Sequence, residues 1–138
     1  MISFNTENVA MPELDFEGIR QWIDKVAASH GYRVGRLSYI FCDDPYILET
    51  NIKFLNHDYF TDIITFDYTH GDRIGGDMVI SLDTVRSNAE SIGEEYDREL
   101  LRVIIHGVLH LCGIDDKGPG EREIMEANED EALKLFCI

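Results

Sequence analysis

The amino-acid sequence predicts an α+β fold of the α/β type, in which a small mixed β-sheet of about four strands is covered by about five helices. Three observations lead to this class. Strand-like and helix-like runs alternate through the first half of the chain, a short glycine-bearing connection joins two neighbouring strands, and only helix-like segments follow residue 81. At 138 residues, the chain fits a single domain spanning residues 1–138.

The first three elements are predicted from apolar spacing. Residues 2–4 form a short first strand. Apolar side chains then recur at helical spacing over residues 13–30, and Gly31 provides a stop. Residues 33–42 are rich in aromatic and branched side chains, which is typical of a strand.

The alternation continues with one more helix and two strands. Asp44 and Pro45 favour a helix start, because aspartate caps free N–H groups and proline is tolerated in the first turn. That helix is expected to run to about Leu55. Residues 61–68 and 77–81 are predicted strands, and the short glycine-bearing connection between them indicates an antiparallel pair.

The remaining segments are predicted to be helices. They cover residues 82–92, 97–112 and 121–136. We expect these last helices to form a layer of their own against the sheet.

Composition and charge restrict the possible functions. Twelve Lys and Arg residues against 27 Asp and Glu residues give a net charge of −15, which repels polyanions and argues against non-specific nucleic-acid binding. A nucleic-acid role therefore needs a local basic patch, a metal ion or a partner. The sequence predicts neither a signal peptide nor a membrane-spanning helix, and Cys42, Cys112 and Cys137 are predicted to be free thiols. A cytosolic, cytoplasmic protein is expected.

The helix over residues 97–112 has one polar stripe. Glu99, Arg102, His106 and His110 are spaced by three and four residues, and the other positions from 100 to 111 are apolar or glycine. A helix that is apolar on nearly all sides belongs in the interior. Its polar stripe must therefore face a cleft, a partner group or a metal.

The two histidines are candidate metal ligands. Four residues apart on a helix, they project from the same face, and Gly113 lets the chain return so that Asp115 or Asp116 can reach them. Three ligands with an open position are typical of a catalytic metal site. The alternative is that both histidines are only hydrogen-bonded to neighbouring side chains or to the backbone.

Residues 106–116, HGVLHLCGIDD, resemble the signature H-G-x-L-H-L-x-G-Y-D-H of the YbeY family. The resemblance covers about residues 37–133. It is carried in order by residues 55–56, 61–66, 76–81, 99–100 and 106–116, and by Glu123 and Met125. It implies a metal-dependent endoribonuclease that cleaves single-stranded RNA in ribosomal RNA maturation and ribosome quality control.

The resemblance also implies a ligand set. The family's third histidine falls on Asp116, so the implied metal ligands are His106, His110 and Asp116. Asp115 then orients a histidine, or it is a turn residue bonded to its own backbone, and the residues alone leave open which aspartate is the ligand. One divalent transition metal is expected, with zinc foremost. Iron, nickel or manganese are alternatives, because a carboxylate ligand also suits harder ions.

Besides His106, the catalytic candidates are Arg102 and Glu123. Arg102 can bind phosphate from the helix stripe, or it pairs with Glu99. Glu123 can face the site from the next helix, or it only interacts with that helix's dipole. Residues 61 and 62 are expected to shape the cleft wall.

The family's loop arginine has no counterpart in residues 55–62. Its role must be supplied by Lys53, His57, Arg73 or Arg102, or be missing.

The expected partners are single-stranded regions of ribosomal RNA, together with the ribosome or its basic proteins, which the acidic segment 121–131 suits. Two other functions stay open at this point. One is a ribosome-associated maturation factor with weak or lost nuclease activity, and the other is a metal-dependent hydrolase of small molecules.

Overall fold

The computed structural model describes residues 1–55 and 61–136. Its sheet has the order β1-β2-β4-β3, and the strands are β1 (Ile2–Thr6), β2 (Arg33–Cys42), β3 (Ile63–Asp67) and β4 (Arg73–Ser81). The β1–β2 and β2–β4 pairs are parallel, and β3 is antiparallel to β4. The predicted mixed four-stranded sheet and its antiparallel pair are confirmed, and β3 forms an edge of the sheet.

The described residues form five α-helices, as predicted. They are α1 (Phe16–Ser29), α2 (Asp44–Thr50), α3 (Leu82–Ile92), α4 (Tyr96–Leu111) and α5 (Glu121–Phe136). The Asp43 side chain, not that of Asp44, caps α2 by accepting a hydrogen bond from the Tyr46 N–H. After Thr50 the predicted helix changes to a π-helical segment, Asn51–Leu55.

Strand β4 is longer than predicted. It begins at Arg73, because that residue already pairs with Arg33 of β2, whereas the sequence suggested a turn up to Gly76. A Cβ atom at Gly76 would collide with the Phe66 carbonyl oxygen of β3. The glycine that resembled a turn residue therefore allows two strands to approach closely.

The helices are divided unequally between the two faces of the sheet. On one face, Tyr39 and Met78 are buried with apolar residues of α1, α3, α4 and α5. Trp22 of α1 donates a hydrogen bond to the Ala132 carbonyl oxygen of α5 at 2.6 Å. The expectation that the last helices form a separate layer is therefore wrong, because α1 packs into the same layer. On the other face, a small apolar cluster joins the sheet to α2.

Helix α4 lies directly on the sheet and positions the polar stripe. The Tyr39 hydroxyl donates a hydrogen bond to the Ile104 carbonyl oxygen at 3.0 Å. A Cβ atom at Gly107 would lie 3.0 Å from Met78 and 3.1 Å from Ile63, so glycine lets α4 approach β3 and β4. The neighbouring His106 thus reaches the edge of the sheet beside β3. No helix in the described parts of the chain is long and apolar enough to cross a membrane.

Candidate active site

A cleft of about 270 Å³ lies where α4 meets the edge strand β3. The residues that line it come from α4, from the segment after α4, from the start of β3 and from the π-helical segment. They are Asn51, Leu55, Thr61, Asp62, Ile63, Ile64, Thr65, His106, His110, Asp116 and Lys117. The cleft therefore collects two imidazoles, two carboxylates and one ammonium group from separate parts of the chain.

The end of α4 explains how the aspartates reach the histidines. Gly113 has a φ of 89°, in the left-handed region that glycine adopts without strain. Its N–H donates to the His110 carbonyl oxygen at 3.0 Å, and the Ile114 N–H donates to the Leu109 carbonyl oxygen at 3.1 Å. This glycine ending turns the chain back along the helix, as the sequence predicted.

Carboxylates lie on both sides of the His106 ring. Its Nδ1 lies 2.7 Å from Glu129 Oε2 on α5, and its Nε2 lies 3.4 Å from Asp116 Oδ2. Since a carboxylate accepts at Nδ1, that nitrogen carries the proton in the neutral ring, and the Nε2 lone pair is directed toward Asp116.

The surroundings of His106 favour positive charge. Burial alone lowers the pKa of His106, but the hydrogen bond to Glu129 and the charges of Glu129, Asp116 and Asp62 outweigh it, so the pKa is raised. Burial raises the pKa of Asp62, although the nearby His106 opposes that shift. The carboxylates around the ring therefore favour a positive charge at this position, and a bound metal ion would supply one in place of the proton.

Arg102 lies in an ion-pair network behind His106. Its Nη1 donates to Glu129 Oε1 at 3.1 Å, its Nη2 donates to Asp130 Oδ1 at 3.0 Å, and its Nε lies 3.8 Å from Glu99 Oε1. Arg102 therefore pairs with Glu99, one of the two alternatives that the sequence left open, and it also pairs with Glu129 and Asp130. Among the described residues, Arg102 does not line the cleft.

The structure brings together His106, His110 and Asp116, but not the other candidates. Glu123 is exposed on α5 and is absent from the described lining of the cleft. His110 Nδ1 lies 4.0 Å from Asp115 Oδ1, which places Asp115 beside the second histidine. His57, a candidate to replace the family's loop arginine, and Cys137, a predicted free thiol, lie outside the described residues. Cys42 and Cys112 are free and buried.

The donor set is compatible with a divalent transition metal, although the side chains do not enclose one. Within residues 1–55 and 61–136, no three His, Cys, Asp or Glu side chains lie close enough together to hold an ion. Two donors that share an ion at 2.0–2.1 Å in tetrahedral geometry are roughly 3.3 Å apart. The 3.4 Å between His106 Nε2 and Asp116 Oδ2 fits that separation.

Two residues of the site were missed from the sequence. Glu129 lies 23 residues from His106, within an acidic run that resembles a solvated helix face, yet it is buried. Its position four residues after Met125, which is also buried, was the available signal for an inward-facing carboxylate. Lys117, which lines the cleft directly after Asp116, was not predicted from the sequence as a phosphate contact.

Comparison with known proteins points to one family. The sequence profile described as "Endoribonuclease YbeY" matches residues 1–136. A protein of that name from Phocaeicola vulgatus is 64% identical over 138 residues and covers 100% of both chains. The namesake from Bacteroides thetaiotaomicron is 60% identical, with 97% of this chain and 98% of the relative covered. The namesake from Porphyromonas gingivalis is 52% identical, with coverages of 98% and 89%.

The fold also has a counterpart among solved structures. The solution structure of a Thermotoga maritima protein aligns with a TM-score of 0.69 at 23% identity, covering 99% of this chain and 89% of that one. At this identity the likeness concerns the fold alone. None of these comparisons favours a factor without nuclease activity or a small-molecule hydrolase.

Proposed function

The chain belongs to the YbeY family of endoribonucleases, and we propose that its cleft hydrolyses phosphodiester bonds of single-stranded RNA during ribosomal RNA maturation. The observation that carries the assignment of the site is the position of His106. Its Nδ1 is bound by the buried Glu129, and its Nε2 is directed into a cleft that His110 and Asp116 also line.

We propose that His106, His110 and Asp116 hold one divalent transition metal, with zinc foremost and iron, nickel or manganese as alternatives. Such an ion supplies Lewis acidity toward a phosphoryl oxygen and a water that loses its proton near neutral pH. Asp115 is assigned to the orientation of His110, because the two side chains are neighbours at 4.0 Å.

The residues of this chain orient the site and bind the substrate. Glu129 fixes the tautomer and the ring plane of His106, and Arg102 holds Glu129 in place by its bond at 3.1 Å. Arg102 is therefore proposed as a positioning residue rather than a phosphate contact. Lys117, exposed at the cleft and without a carboxylate partner among the described residues, is proposed to bind the scissile phosphate. The role of Glu123 stays a prediction.

The ribosome is the proposed setting of the reaction. The net charge of −15 opposes free association with RNA, so delivery of the substrate on a ribosomal particle is favoured. The exposed acidic residues of α5, such as Glu126 and Glu131, suit a basic ribosomal protein.

The first experiment measures the metal content of untagged protein, beside His110→Ala, Asp116→Ala and Asp115→Ala. About one transition-metal ion per chain is expected for wild type and for Asp115→Ala, with loss in the other two variants. Cleavage of a single-stranded RNA is then assayed with that metal, using the same sequence as a duplex for comparison.

A wild-type protein that takes up none of zinc, nickel, iron or manganese would exclude the proposed site. If Asp116→Ala still binds the metal and Asp115→Ala does not, then Asp115 is the ligand and Asp116 is the residue beside it. A metal-loaded protein that leaves single-stranded RNA intact would contradict the proposed reaction.

A further inference from the structure

The described residues cover one face of the sheet only in part. Alternation along β2 and β4 directs Tyr39 and Met78 into the main core, so that Ile40, Asp77 and Val79 are on the opposite face. Helix α2 and the π-helical segment are the described elements that pack there. The rest of this surface, termed here the open sheet face, is not covered by residues 1–55 or 61–136.

An aromatic groove of about 260 Å³ lies on the open sheet face. Phe54, Phe66 and Tyr68 line it, and Phe54 and Tyr68 are 61% and 64% exposed. The Phe54 and Phe66 rings meet edge to face, with centroids 5.9 Å apart and an angle of 81°. Exposed aromatic rings on a sheet are the common means by which proteins stack single-stranded RNA bases.

A basic pocket of about 360 Å³ continues this groove. Tyr68 and Asp77 line both cavities, and the pocket adds Arg36, His70 and Arg73, all of which are exposed. Asp77 is the one carboxylate among the described residues that line the two cavities, and it can accept hydrogen bonds from base amino groups.

The groove also adjoins the proposed active site. Ile64, which is buried with Val79 in the apolar cluster on the α2 side of the sheet, also lines the cleft, and Leu55 of the cleft directly follows Phe54 of the groove. The cleft between α4 and β3 therefore meets the groove around the β3 edge of the sheet, and the basic pocket continues the groove on the open sheet face.

The distribution of cations marks the same path. Six of the twelve Lys and Arg residues form ion pairs with carboxylates in the described structure. Of the other six, Lys117 lines the cleft, Lys53 lies 5.4 Å from the Phe54 ring centroid, and Arg36 and Arg73 line the basic pocket. In a protein of net charge −15, cations left without carboxylate partners are thus concentrated where a polyanion would lie.

We propose that the open sheet face is a binding track for single-stranded RNA, on which Phe54, Phe66 and Tyr68 stack bases while Arg36 and Arg73 bind the phosphates beyond the cleft. This inference rests on the proposed function, because it extends the path of the same substrate. Stacking and local charge together provide affinity for RNA that the overall charge of the protein opposes.

The test measures binding of a labelled, hydrolysis-resistant 2′-O-methyl phosphorothioate oligouridylate of about 12 nucleotides to the full protein as purified, by fluorescence anisotropy. Tyr68→Ala is expected to weaken binding about fivefold or more. Arg36→Ala/Arg73→Ala is expected to reduce the slope of log affinity against log salt by about 1.4, since each phosphate contact on a single strand contributes about 0.7.

The controls match these variants in chemistry. Lys25→Ala removes an exposed cation of α1 that has no carboxylate partner among the described residues, and Ile92→Ala removes a side chain of α3 that is 66% exposed. Both are expected to bind the oligonucleotide as wild type does. In cleavage assays with metal-loaded protein, the track variants are expected to raise KM for long RNA and to leave kcat unchanged.

The outcomes separate this inference from the proposed function. A wild-type protein that neither binds nor cleaves single-stranded RNA would contradict both. If Tyr68→Ala and Arg36→Ala/Arg73→Ala bind and cleave RNA as wild type does, the track is overturned and the proposed function stands. The track is also overturned if Lys25→Ala loses as much RNA affinity as the track variants do. Variants that bind free RNA normally but no longer sediment with ribosomes would identify the face as a protein-docking surface, which also overturns the track.

Discussion

His106 Nδ1 on α4 and Glu129 Oε2 on α5 lie 2.7 Å apart, and this contact joins the proposed metal-binding cleft to the ion pairs behind it. Glu129 is buried, and its other oxygen accepts a hydrogen bond from Arg102 at 3.1 Å. Both oxygens of one carboxylate are therefore used to fix a histidine and an arginine. The orientation of His106 depends on how α5 packs against α4.

The first prediction concerns this contact. Glu129→Gln is expected to weaken metal binding about 10- to 100-fold, because the ring of His106 loses its anionic partner. Asp130→Asn is the matched control, since Asp130 also bonds to Arg102 but is not bonded to His106. Zinc affinity is measured by competition with a chromophoric chelator. Equal affinities for the two variants would show that Glu129 does not act through His106.

The second prediction concerns the carboxylate ligand. Asp116→His restores the third histidine of the family signature and is expected to raise the ratio of zinc to manganese affinity on the order of tenfold, because imidazole is the softer ligand. Asp115→His is the control and is expected to leave the ratio unchanged. Both ratios are measured by calorimetric titration. A change in the control alone would assign the ligand role to Asp115.

The third prediction concerns stability and pH. Glu99 is buried, and its Oε1 has no hydrogen-bond partner within the described structure. Burial raises the pKa of Glu99; Arg102 opposes this shift, while the charges of Asp62, Glu129 and Glu94 add to it. The folded state thus binds the Glu99 proton more tightly than the unfolded state. Its contribution to stability is present at low pH and is lost as the pH rises through the raised value.

Glu99→Gln is therefore expected to increase the free energy of unfolding by about 1 kcal/mol at pH 7, because it removes a poorly compensated buried charge. The gain should shrink at pH 4, below the ordinary pKa of a glutamate side chain, where the raised pKa keeps most of the wild-type carboxyl groups protonated. Urea unfolding at both pH values checks this, with the exposed Glu126→Gln as the control. A gain of equal size at both pH values would exclude ionisation of Glu99 as the cause.

The fourth prediction concerns the helix that carries the histidines. Gly107→Ala is expected to destabilise the protein by about 1 kcal/mol, because the crowding against Met78 and Ile63 exceeds the gain in helix propensity. Thermal and urea unfolding measure the change. Ser91→Ala, at an exposed position of α3, is the control for helix propensity alone. It is expected to stabilise the protein, the opposite of Gly107→Ala. A stabilised Gly107→Ala protein would mean that Met78 and Ile63 repack without cost.

The features of the site that the sequence predicted depend on residues close together in the chain, whereas those it did not predict depend on contacts between distant segments. The stripe of His106 and His110, and the glycine ending that returns Asp116 to them, were readable because they depend on helical period and on one residue type. The bond between His106 and Glu129 was not readable, because it requires α5 to pack against α4. For the same reason the sequence left open whether Arg102 binds phosphate or carboxylates.

The amino-acid sequence by itself determined the elements, most of their bounds, the antiparallel pair and the histidine stripe, because the periods of apolar residues and the capping residues act locally. Only the tertiary structure decided the strand order, the true start of β4 at Arg73 and the partners of Arg102. It also decided that the described residues leave one sheet face partly uncovered, beside Phe66 and Tyr68. These features arise from contacts between segments far apart in the chain, and a local pattern does not specify which distant surface will cover it.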